Sequence, residues 1–439
     1  MHTHRGMERK GFLGRKVLVL GAGISGMGAM RALAEVGAFV TIIDESQTPE
    51  LLSSTFVAKF DLVVTSPSVA PCHKIYEFAR QNKIEILGEA ELGAALFFGT
   101  VIGITGTNGK TTTTALLGDM VIRSGRKTAV CGNIGKSFSE AVVFEKPSVA
   151  VVELSSFQLE VVQGYLKPSI ALFLNLSPDH LDRHGTMDAY ANAKKNIAKN
   201  QTKDDYLLLG SDDIPSEFLK DFKPKSNILH ISTIKKTNGA YLQNGKLYFG
   251  EEYILHSNDL SLKGKHNVAN ALFAICSAKL LGISNRVICE SLTKFSCDNH
   301  RIQFVKEIGG KRYYNDSKGT NVGASLAAVK TMQGDTALIL GGKDKGYEFD
   351  SLFYALPKTV NEIFVIGEVA DSIVKSAKRA GFCYVVSHRT LEDAVKAASE
   401  TNVKNVLLSP ACSSFDMFAD YKARGKEFER IVGDLCERL

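Results

Sequence analysis

Short apolar runs, rich in valine and isoleucine, alternate with longer segments of helical periodicity along most of the chain. The first three runs are VLVLGAG (17–23), FVTIID (39–44) and DLVVTSP (61–67). Runs of this composition between turn residues predict buried strands, and helices between them predict that the strands pair in parallel. The pattern therefore predicts an α/β protein, because parallel sheets need helices on both faces.

Two later series of apolar runs repeat this pattern. One consists of TVIGITG (100–106), AVVEL (150–154) and IALFLNL (170–176). The other consists of TALILGG (336–342), EIFVIG (362–367), CYVVS (383–387) and NVLLSP (405–410). The polar stretch 201–262 contains AYLQNGKLYFG and predicts irregular β insertions, and LKGKHNVANALFAICSAKLLG after it predicts a helix.

The length of 439 residues exceeds what one hydrophobic core normally supports. We therefore expect three domains. They are a Rossmann-like N-terminal domain over 1–98, a central P-loop domain with a parallel sheet and β insertions over 99–297, and a Rossmann-like C-terminal domain over 298–439.

Composition limits the classes of function. The net charge is +6 with the charges spread along the chain, so we expect no nucleic-acid partner. No apolar stretch approaches the ~18 residues of a membrane span, and the start lacks the apolar region of a signal peptide. Eight scattered cysteines form no CxxC pair. We expect a cytoplasmic monomer with no membrane partner.

The stretch VIGITGTNGKTTTT (101–114) predicts a strand, a glycine-rich loop and a helix that begins near Lys110. Such a loop surrounds a polyphosphate with backbone N–H groups at the positive end of a helix. The lysine would reach the β and γ phosphates, and the hydroxyl of Thr111 would bind Mg²⁺. Ile104 stands where the strict phosphate-loop pattern has a glycine, so the class of nucleotide-using enzyme stays open at this point.

Acidic and imidazole groups follow the next strands of this series. Glu153 ends one strand, and Asp179 and His180 follow the next. Ligands of open parallel sheets gather at the carboxyl ends of the strands. We therefore expect Thr111, Glu153 and His180 to hold Mg²⁺. A GTPase, a transporter ATPase and a kinase each fit the loop alone, but no guanine-reading NKxD motif follows.

GAGISG (21–26), with Asp44 at the end of the second strand, matches the dinucleotide-binding fingerprint. Taken alone it indicates an NAD-dependent dehydrogenase. A single GxGxxG is weak evidence, however, and the phosphoryl chemistry predicted for the next domain points elsewhere.

Several motifs together resemble the Mur ligases of peptidoglycan synthesis. They are TGTNGKTT, GNIG (132–135), ELSSFQL, SPDHLDRHG, KGKHNVAN, NHR (299–301), NDSKGTN (315–321) and SPACSSFDMF (409–418). ELSSFQL and SPACSSFDMF are most similar to the members that add D-glutamate to UDP-N-acetylmuramoyl-L-alanine. The resemblance implies an ATP-dependent, Mg²⁺-requiring amide ligase that phosphorylates a carboxylate to an acyl phosphate, which the amine then attacks.

The resemblance also implies roles for individual residues. Lys110, Glu153 and His180 would be catalytic, together with Lys194, which the YxxAK pattern marks as a carbamylated lysine. The UDP-substrate would bind at Ile24, Ser25, Asp44 and Asn133. ATP would bind at Thr107, Asn108, Gly109, Lys110, Thr111, Thr112, Thr113, Asn267, Asn270, Arg301 and Asp316. The amino acid would bind at Lys318, Thr320, Lys345, Ser414 and Tyr421.

Some of these residues have simpler explanations. Lys194 lies in a lysine-rich stretch (188–200) that otherwise predicts a solvated basic helix face. Asn267 and Asn270 equally suit capping of a helix N-terminus. Two departures bear on amino-acid selection: Lys343 is an extra lysine beside Lys345, and Tyr421 stands where relatives have phenylalanine.

Two other functions compete with an amide ligase of this family. Folylpolyglutamate synthases have a similar phosphate loop, but they lack a Rossmann-like first domain. A regulatory module that senses NAD or a nucleoside triphosphate would explain both glycine loops, but not Lys194 or SPACSSFDMF. The DNPR motif of ligases that add diaminopimelate or lysine is absent from the sequence.

Overall fold

The computed structural model describes residues 11–44, 52–295, 302–344 and 349–437. Residue contacts divide the chain into two units, the first formed by 1–177 and 186–295 and the second by 178–185 and 296–439. The division into three domains at 98 and 297 stays a prediction. No helix in the described ranges combines the length and apolarity that crossing a membrane requires.

The first sheet has four parallel strands in the order β2-β1-β3-β4. The strands are β1 (Lys16–Leu20), β2 (Phe39–Ile43), β3 (Leu62–Thr65) and β4 (Glu85–Gly88). The helices of this part of the chain are α1 (Ile24–Glu35), α2 (Ser54–Val57), α3 (Lys74–Gln81) and α4 (Glu89–Leu96). The three predicted strands are confirmed, and β4 is an addition to them.

The central sheet has six parallel strands in the order β10-β9-β8-β5-β7-β6. They are β5 (Thr100–Thr105), β6 (Thr128–Gly132), β7 (Val149–Glu153), β8 (Ile170–Phe173), β9 (Tyr206–Gly210) and β10 (Asn227–Ile231). The prediction of irregular β insertions over 201–262 is therefore wrong for β9 and β10, which extend the parallel sheet. Each of these two strands is a short apolar run between polar loops, so neither stands out in the sequence.

Helices cover the central sheet on both faces. They are α5 (Lys110–Arg123), α6 (Phe138–Phe144), α7 (Ser156–Leu159), α9 (Met187–Lys195), α10 (Lys265–Leu280) and α11 (Asn285–Lys294). The short helix α8 (Leu181–His184) belongs to the second unit. In β7, Ala150 and Val152 pack into one core while Val149 and Val151 pack into another. Burial on both faces explains why this strand is a continuous apolar run.

A small antiparallel sheet follows β10, in the order β11-β12-β13. Its strands are β11 (Ala240–Gln243), β12 (Lys246–Phe249) and β13 (Glu252–His256). Asn244 and Gly245 join the first two strands, and both have positive φ, 50° and 73°. An Asn-Gly pair favours such a hairpin turn, so this predicted hairpin is confirmed.

The second unit contains a six-stranded sheet in the order β14-β15-β19-β16-β17-β18. The strands are β14 (Gln303–Ile308), β15 (Lys311–Asn315), β16 (Thr336–Gly341), β17 (Val360–Ile366), β18 (Val385–Ser387) and β19 (Asn405–Leu408). The helices are α12 (Val322–Val329), α13 (Asp350–Ala355), α14 (Ala370–Arg379), α15 (Leu391–Glu400) and α16 (Tyr421–Glu437). The predicted strands pair in parallel, and β14 adds an antiparallel edge.

Candidate active site

The phosphate-type loop lies between the end of β5 and the first residue of α5, Lys110. Gly109, the N-cap of α5, has φ of 83°, and a Cβ atom there would lie 2.3 Å from Oδ1 of Asn270. Only glycine fits both the left-handed backbone and this close approach. The predicted order of strand, loop and helix is therefore confirmed.

Two lysine side chains meet at this loop. Nζ of Lys110 donates to the carbonyl oxygens of Gly106 at 2.8 Å and Thr107 at 2.9 Å. Nζ of Lys194 donates to the same Gly106 oxygen at 2.8 Å. Lys194 is 1% exposed, and its Nζ lies 4.5 Å from the ring centroid of Tyr190. The explanation of Lys194 as part of a solvated helix face is therefore wrong.

Glu153, the last residue of β7, lies beside the strand that leads into the loop, where it pairs with Ile104. Its side chain is buried, and its Oε1 accepts a 2.9 Å hydrogen bond from Nδ2 of Asn133. The other carboxylate oxygen, Oε2, is buried and has no hydrogen-bond partner among the described residues. A buried carboxylate oxygen of this kind fits a hard cation such as Mg²⁺.

Within the described ranges, no group of three His, Cys, Asp or Glu side chains is arranged to hold a metal ion. This does not conflict with Mg²⁺, which usually takes one or two protein carboxylates and completes its shell with phosphates and water. Thr111 lies in the first turn of α5 and is 9% exposed. Glu153 and Thr111 are thus the predicted metal ligands that the first unit contains.

His180 is grouped with the second unit, seven residues beyond the end of β8. It has φ of 54°, and its Nε2 lies 3.7 Å from Oδ2 of Asp179. The same Asp179 oxygen accepts a 3.3 Å hydrogen bond from Nδ2 of Asn321. His180 thus belongs to a polar cluster of the second unit, and its place as a metal ligand beside Glu153 stays a prediction.

Asn270 on α10 contacts the start of α5, and Asn267 supports its side chain. Oδ1 of Asn270 accepts a 3.2 Å hydrogen bond from the hydroxyl of Thr113, and its Nδ2 donates to Oδ1 of Asn267 at 3.1 Å. The N-cap of α10 is Gly264, so neither asparagine caps this helix. The capping explanation is wrong: Asn270 lies next to Gly109 of the phosphate-type loop, and Asn267 bonds to Asn270 and to the Lys263 carbonyl oxygen. Thr112 is also buried there.

The glycine loop of the first sheet lies between β1 and α1. Gly21 has φ of 98°, and a Cβ atom on Gly26 would lie 1.8 Å from the Gly21 carbonyl oxygen. The N–H of Ala22 donates to Oδ2 of Asp44 at 3.4 Å. Ile24 is the first residue of α1 and is 74% exposed, and Ser25 beside it is half-buried. The helix start is thus open to a ligand, with Asp44 at its base.

A buried arginine organises the loops of the second unit. Arg424 on α16 is 0% exposed, and burial lowers its pKa to about 10. Its guanidinium donates to the Ser317 hydroxyl at 3.0 Å and to the carbonyl oxygens of Ser317 at 2.9 Å and Cys412 at 3.0 Å. It therefore ties the NDSKGTN segment to the SPACSSFDMF segment.

Arg424 is not among the predicted site residues, although its position in the sequence carries a signal. Phe428, Ile431 and Val432 are buried on the same helix at spacings of four, seven and eight residues from Arg424. A cation on the apolar stripe of an amphipathic helix must find buried partners.

Of the residues predicted to bind the amino acid, Lys318, Thr320 and Ser414 lie in these two segments, and Tyr421 begins α16. Nζ of Lys318 lies 5.3 Å from the ring centroid of Tyr421, whose carbonyl oxygen accepts the Ser317 hydroxyl at 2.8 Å. Ser414 is buried beside Ser413, and Thr320 is half-buried after Lys318. Asp316 accepts hydrogen bonds from the Ser409 hydroxyl at 2.6 Å and the Ile302 N–H at 3.2 Å. Lys345 and Arg301 lie outside the described residues.

Comparisons with known proteins agree with this architecture. Residues 104–278 match the Mur ligase middle domain, and residues 300–412 match the Mur ligase, glutamate ligase domain. The UDP-N-acetylmuramoylalanine–D-glutamate ligase of Caldanaerobacter subterraneus subsp. tengcongensis is 39% identical over 96% of this chain and 98% of its own length. That of Koribacter versatilis is 39% identical over 97% of this chain and 98% of its own length.

A solved structure shares the fold at lower identity. The pseudomurein peptide ligase type C from Methanothermus fervidus has a TM-score of 0.63 and 18% identity, covering 96% of this chain and 100% of that one. Likeness at this identity supports the fold alone, whereas the relatives at 39% identity span nearly the whole chain. The chain therefore belongs to the Mur ligase family and is an ATP-dependent ligase.

Proposed function

We propose that this ligase joins D-glutamate to UDP-N-acetylmuramoyl-L-alanine, at the expense of ATP, in the synthesis of peptidoglycan precursors. The observation that carries the chemistry is the meeting of Lys110 and Lys194 at one carbonyl oxygen of the phosphate-type loop, one strand away from the buried carboxylate of Glu153. Phosphoryl transfer depends mainly on such positioned charge.

The reaction needs two bond exchanges. A carboxylate oxygen of the UDP-substrate attacks the γ-phosphorus of ATP, and the bond to ADP breaks to give an acyl phosphate. The neutral amine of D-glutamate then attacks the acyl carbon, and phosphate leaves with the electron pair of the C–O bond. Lys110 would neutralise the γ-phosphate in the first exchange, because its Nζ lies at the loop that would hold that group.

Mg²⁺ would be held by Glu153 and Thr111, with His180 as the third proposed ligand. When bound, the ion would offset negative charge on the transferring phosphate. The fit rests on the buried Oε2 of Glu153, which has no hydrogen-bond partner within the described chain. Its other oxygen is oriented by Asn133, which we propose also contacts the UDP-substrate.

We propose that Lys194 is carbamylated in the active enzyme. Carbamate formation needs a neutral amine, which combines with CO₂ and releases a proton. Nζ of Lys194 is buried at the phosphate-type loop and shares the Gly106 carbonyl oxygen with Nζ of Lys110, so a carbamate on Lys194 would lie close to the proposed phosphate and metal site. The product would place an anionic oxygen ligand near the metal, where an ammonium would oppose it.

The remaining assignments are those that the resemblance to Mur ligases implies. Ile24, Ser25 and Asp44 would bind the UDP group at the open start of α1. Lys318, Thr320, Lys345, Ser414 and Tyr421 would bind D-glutamate, because its two carboxylates need cations and hydroxyls. Asn267, Asn270, Arg301 and Asp316 would bind the rest of ATP. We also propose a cytoplasmic monomer, since ATP and nucleotide-linked sugars are cytoplasmic metabolites; light scattering of the purified protein would test the oligomeric state.

Phosphate release tests the proposed reaction. The enzyme should release phosphate only when ATP, UDP-N-acetylmuramoyl-L-alanine and an amino acid are present together, because the acyl phosphate needs both an acceptor carboxylate and an amine. D-glutamate should be preferred in a scan of D- and L-amino acids. Rapid ATP hydrolysis without the UDP-substrate would contradict the proposal.

Two further measurements separate the competing functions. Folylpolyglutamate synthesis would appear as phosphate release with a folate and L-glutamate in place of the proposed substrates. An NAD-sensing module would change nicotinamide fluorescence on titration, whereas we expect no saturable change.

Asp44→Ala should weaken UDP-substrate binding while leaving ATP binding intact.

A further inference from the structure

Asn175 lies in the segment that follows β8 and faces the phosphate-type loop. Its Oδ1 accepts a 2.8 Å hydrogen bond from the N–H of Asn108, and its Nδ2 donates to the Asn108 carbonyl oxygen at 3.0 Å. Both polar groups of one backbone residue are thus held by one side-chain amide. Its own carbonyl oxygen also accepts the N–H of Thr107 at 3.1 Å.

The same segment makes a second set of contacts through Ser177. The Thr107 hydroxyl donates to the Ser177 carbonyl oxygen at 3.1 Å, and the Ser177 N–H donates to that hydroxyl at 3.0 Å. The Thr107 hydroxyl also lies 3.2 Å from the hydroxyl of Tyr190. Residues 175–177 therefore fix the backbone of the loop at two consecutive positions, Thr107 and Asn108.

We infer that Asn175 is a positioning residue for ATP, which fixes the orientation of the Asn108 peptide groups so that the rest of the loop presents its N–H groups to the phosphates. This inference rests on the proposed ATP site. It also changes the role of Asn108: its N–H is already engaged by Asn175, so its contribution to nucleotide binding comes from its side chain or from the loop shape.

A glycine-rich loop needs side-chain contacts that hold its backbone in one conformation. Gly106 and Gly109 have φ of 153° and 83°, and glycine has more backbone freedom to lose than any other residue. An unrestrained loop would lose that freedom when it binds phosphates, which weakens binding. Asn175 restrains the loop in advance. It acts on the affinity for ATP without touching the reacting carboxylate.

Two substitutions distinguish a hydrogen-bonding role from simple packing. Asn175→Leu keeps the size of the side chain, but it removes both hydrogen bonds and keeps water from replacing them. Asn175→Ala leaves room for water to bond to Asn108. We expect Asn175→Leu to raise the KM for ATP by about tenfold or more, since a partly buried N–H and carbonyl that lose their hydrogen bonds are costly, and Asn175→Ala to raise it less. If Asn175 only filled space, the leucine variant would be the milder one.

The matched control is Asn200→Ala. Asn200 is also a half-buried asparagine that donates to a backbone carbonyl, that of Leu166 at 3.1 Å, but it lies away from the loop. Its KM for ATP should not change. For all variants, the KM values for D-glutamate and the UDP-substrate should stay within about twofold of wild type, and thermal unfolding and direct ADP titration report folding and nucleotide affinity without turnover.

The role of Asn175 and the proposed reaction can fail separately. Suppose that the wild-type enzyme is active. The role of Asn175 would then be overturned if Asn175→Leu kept the wild-type affinity for ATP, or if Asn175→Ala were more impaired than Asn175→Leu. A wild-type protein that binds ADP but releases no phosphate with the proposed substrates would overturn the proposed function instead. In that case, weaker ADP binding by Asn175→Leu would still support the role of Asn175 at the nucleotide loop.

Discussion

The phosphate-type loop and the proposed amino-acid site are built in different ways. The loop takes its shape from consecutive residues between β5 and α5, and side chains from other segments only fix that shape. The amino-acid site has no such local frame. Its two segments, 315–321 and 409–418, are about ninety residues apart in the sequence, and the buried guanidinium of Arg424 joins them.

This difference determines what a mutation can do. In the loop, a charged side chain can be removed while the backbone that carries it stays in place, so chemistry and folding are separable. In the amino-acid site, removal of Arg424 leaves several buried carbonyl groups without a donor, so binding and folding should fail together. We therefore expect substitutions to have the largest effects on activity at the loop and the smallest effects at the surface of the amino-acid site.

The largest effect should come from the charged groups at the loop. Lys110→Ala and Glu153→Gln should each lower kcat by ~10²–10³, because oriented charge of this kind stabilises the transition state. Thermal unfolding should change little for Lys110→Ala, since the loop backbone is held by other contacts. If Lys110→Ala lowered the unfolding temperature strongly as well as kcat, chemistry and folding would not be separable at the loop, and the two regions would not differ in this respect.

Lys194→Ala should lower activity by about a hundredfold or more if a carbamate supplies an anionic ligand. Added acetate should restore part of the activity by occupying the vacated oxygen site. The control is Lys195→Ala, because the neighbouring Lys195 is half-buried, donates to Oδ1 of Asn192 at 3.1 Å and lies near the ring of Phe222 rather than at the loop. Activity should be measured with and without acetate, together with the intact mass under conditions that preserve carbamates. Wild-type activity of Lys194→Ala would exclude a catalytic carbamate.

Arg424→Met should lower the free energy of unfolding by about 3 kcal/mol or more, because each orphaned buried acceptor costs ~1–3 kcal/mol. The KM for D-glutamate should rise in the same variant. Arg430→Met is the matched control: it lies on the same helix, is about half exposed, and pairs with Glu427 and Asp434 at the surface. Denaturant unfolding and amino-acid kinetics check both variants, and equal stability of the two would show that Arg424 does not organise the site.

Lys343→Met should have the smallest effect, less than about twofold in the KM for D-glutamate. Nζ of Lys343 lies 3.0 Å from Oε2 of Glu368, and this hydrogen bond raises the pKa of Lys343. Both side chains are about half exposed, and exposed ion pairs contribute at most about 1 kcal/mol. The extra lysine beside Lys345 is thus engaged by Glu368. A large rise in the KM for D-glutamate would instead assign Lys343 to the substrate.

The parts of the protein that depend on consecutive residues could be predicted from the sequence. Three strands of the first sheet, three of the central sheet and four of the second unit lie where their apolar runs predict. Strands within polar stretches are harder to predict. β9 and β10 lie between polar loops in 201–262, where the hairpin pattern of AYLQNGKLYFG dominates the expectation. The antiparallel β14 has no apolar run, because most of its positions are exposed or half-buried.

The candidate site shows the same limit. Lys110, Thr111 and Glu153 could be predicted because each follows a strand end or a glycine loop, and the pairing of β5 with β7 brings them to one edge of the sheet. Whether Lys194 was a surface or a buried residue could not be decided from its lysine-rich neighbourhood. Its burial depends on the packing of α9 beside the loop, which is a property of the folded chain.

The sequence by itself determined the α/β class, the phosphate-type loop and the family, because these depend on local periodicity and on motifs of consecutive residues. The tertiary structure alone decided which polar groups are buried together. Asn175 meets Asn108 across 67 residues of sequence, and Arg424 meets Ser317 across 107. Such partners are chosen by the geometry of the packed chain, since a buried polar group must find its hydrogen bonds wherever the fold brings a donor or acceptor within reach.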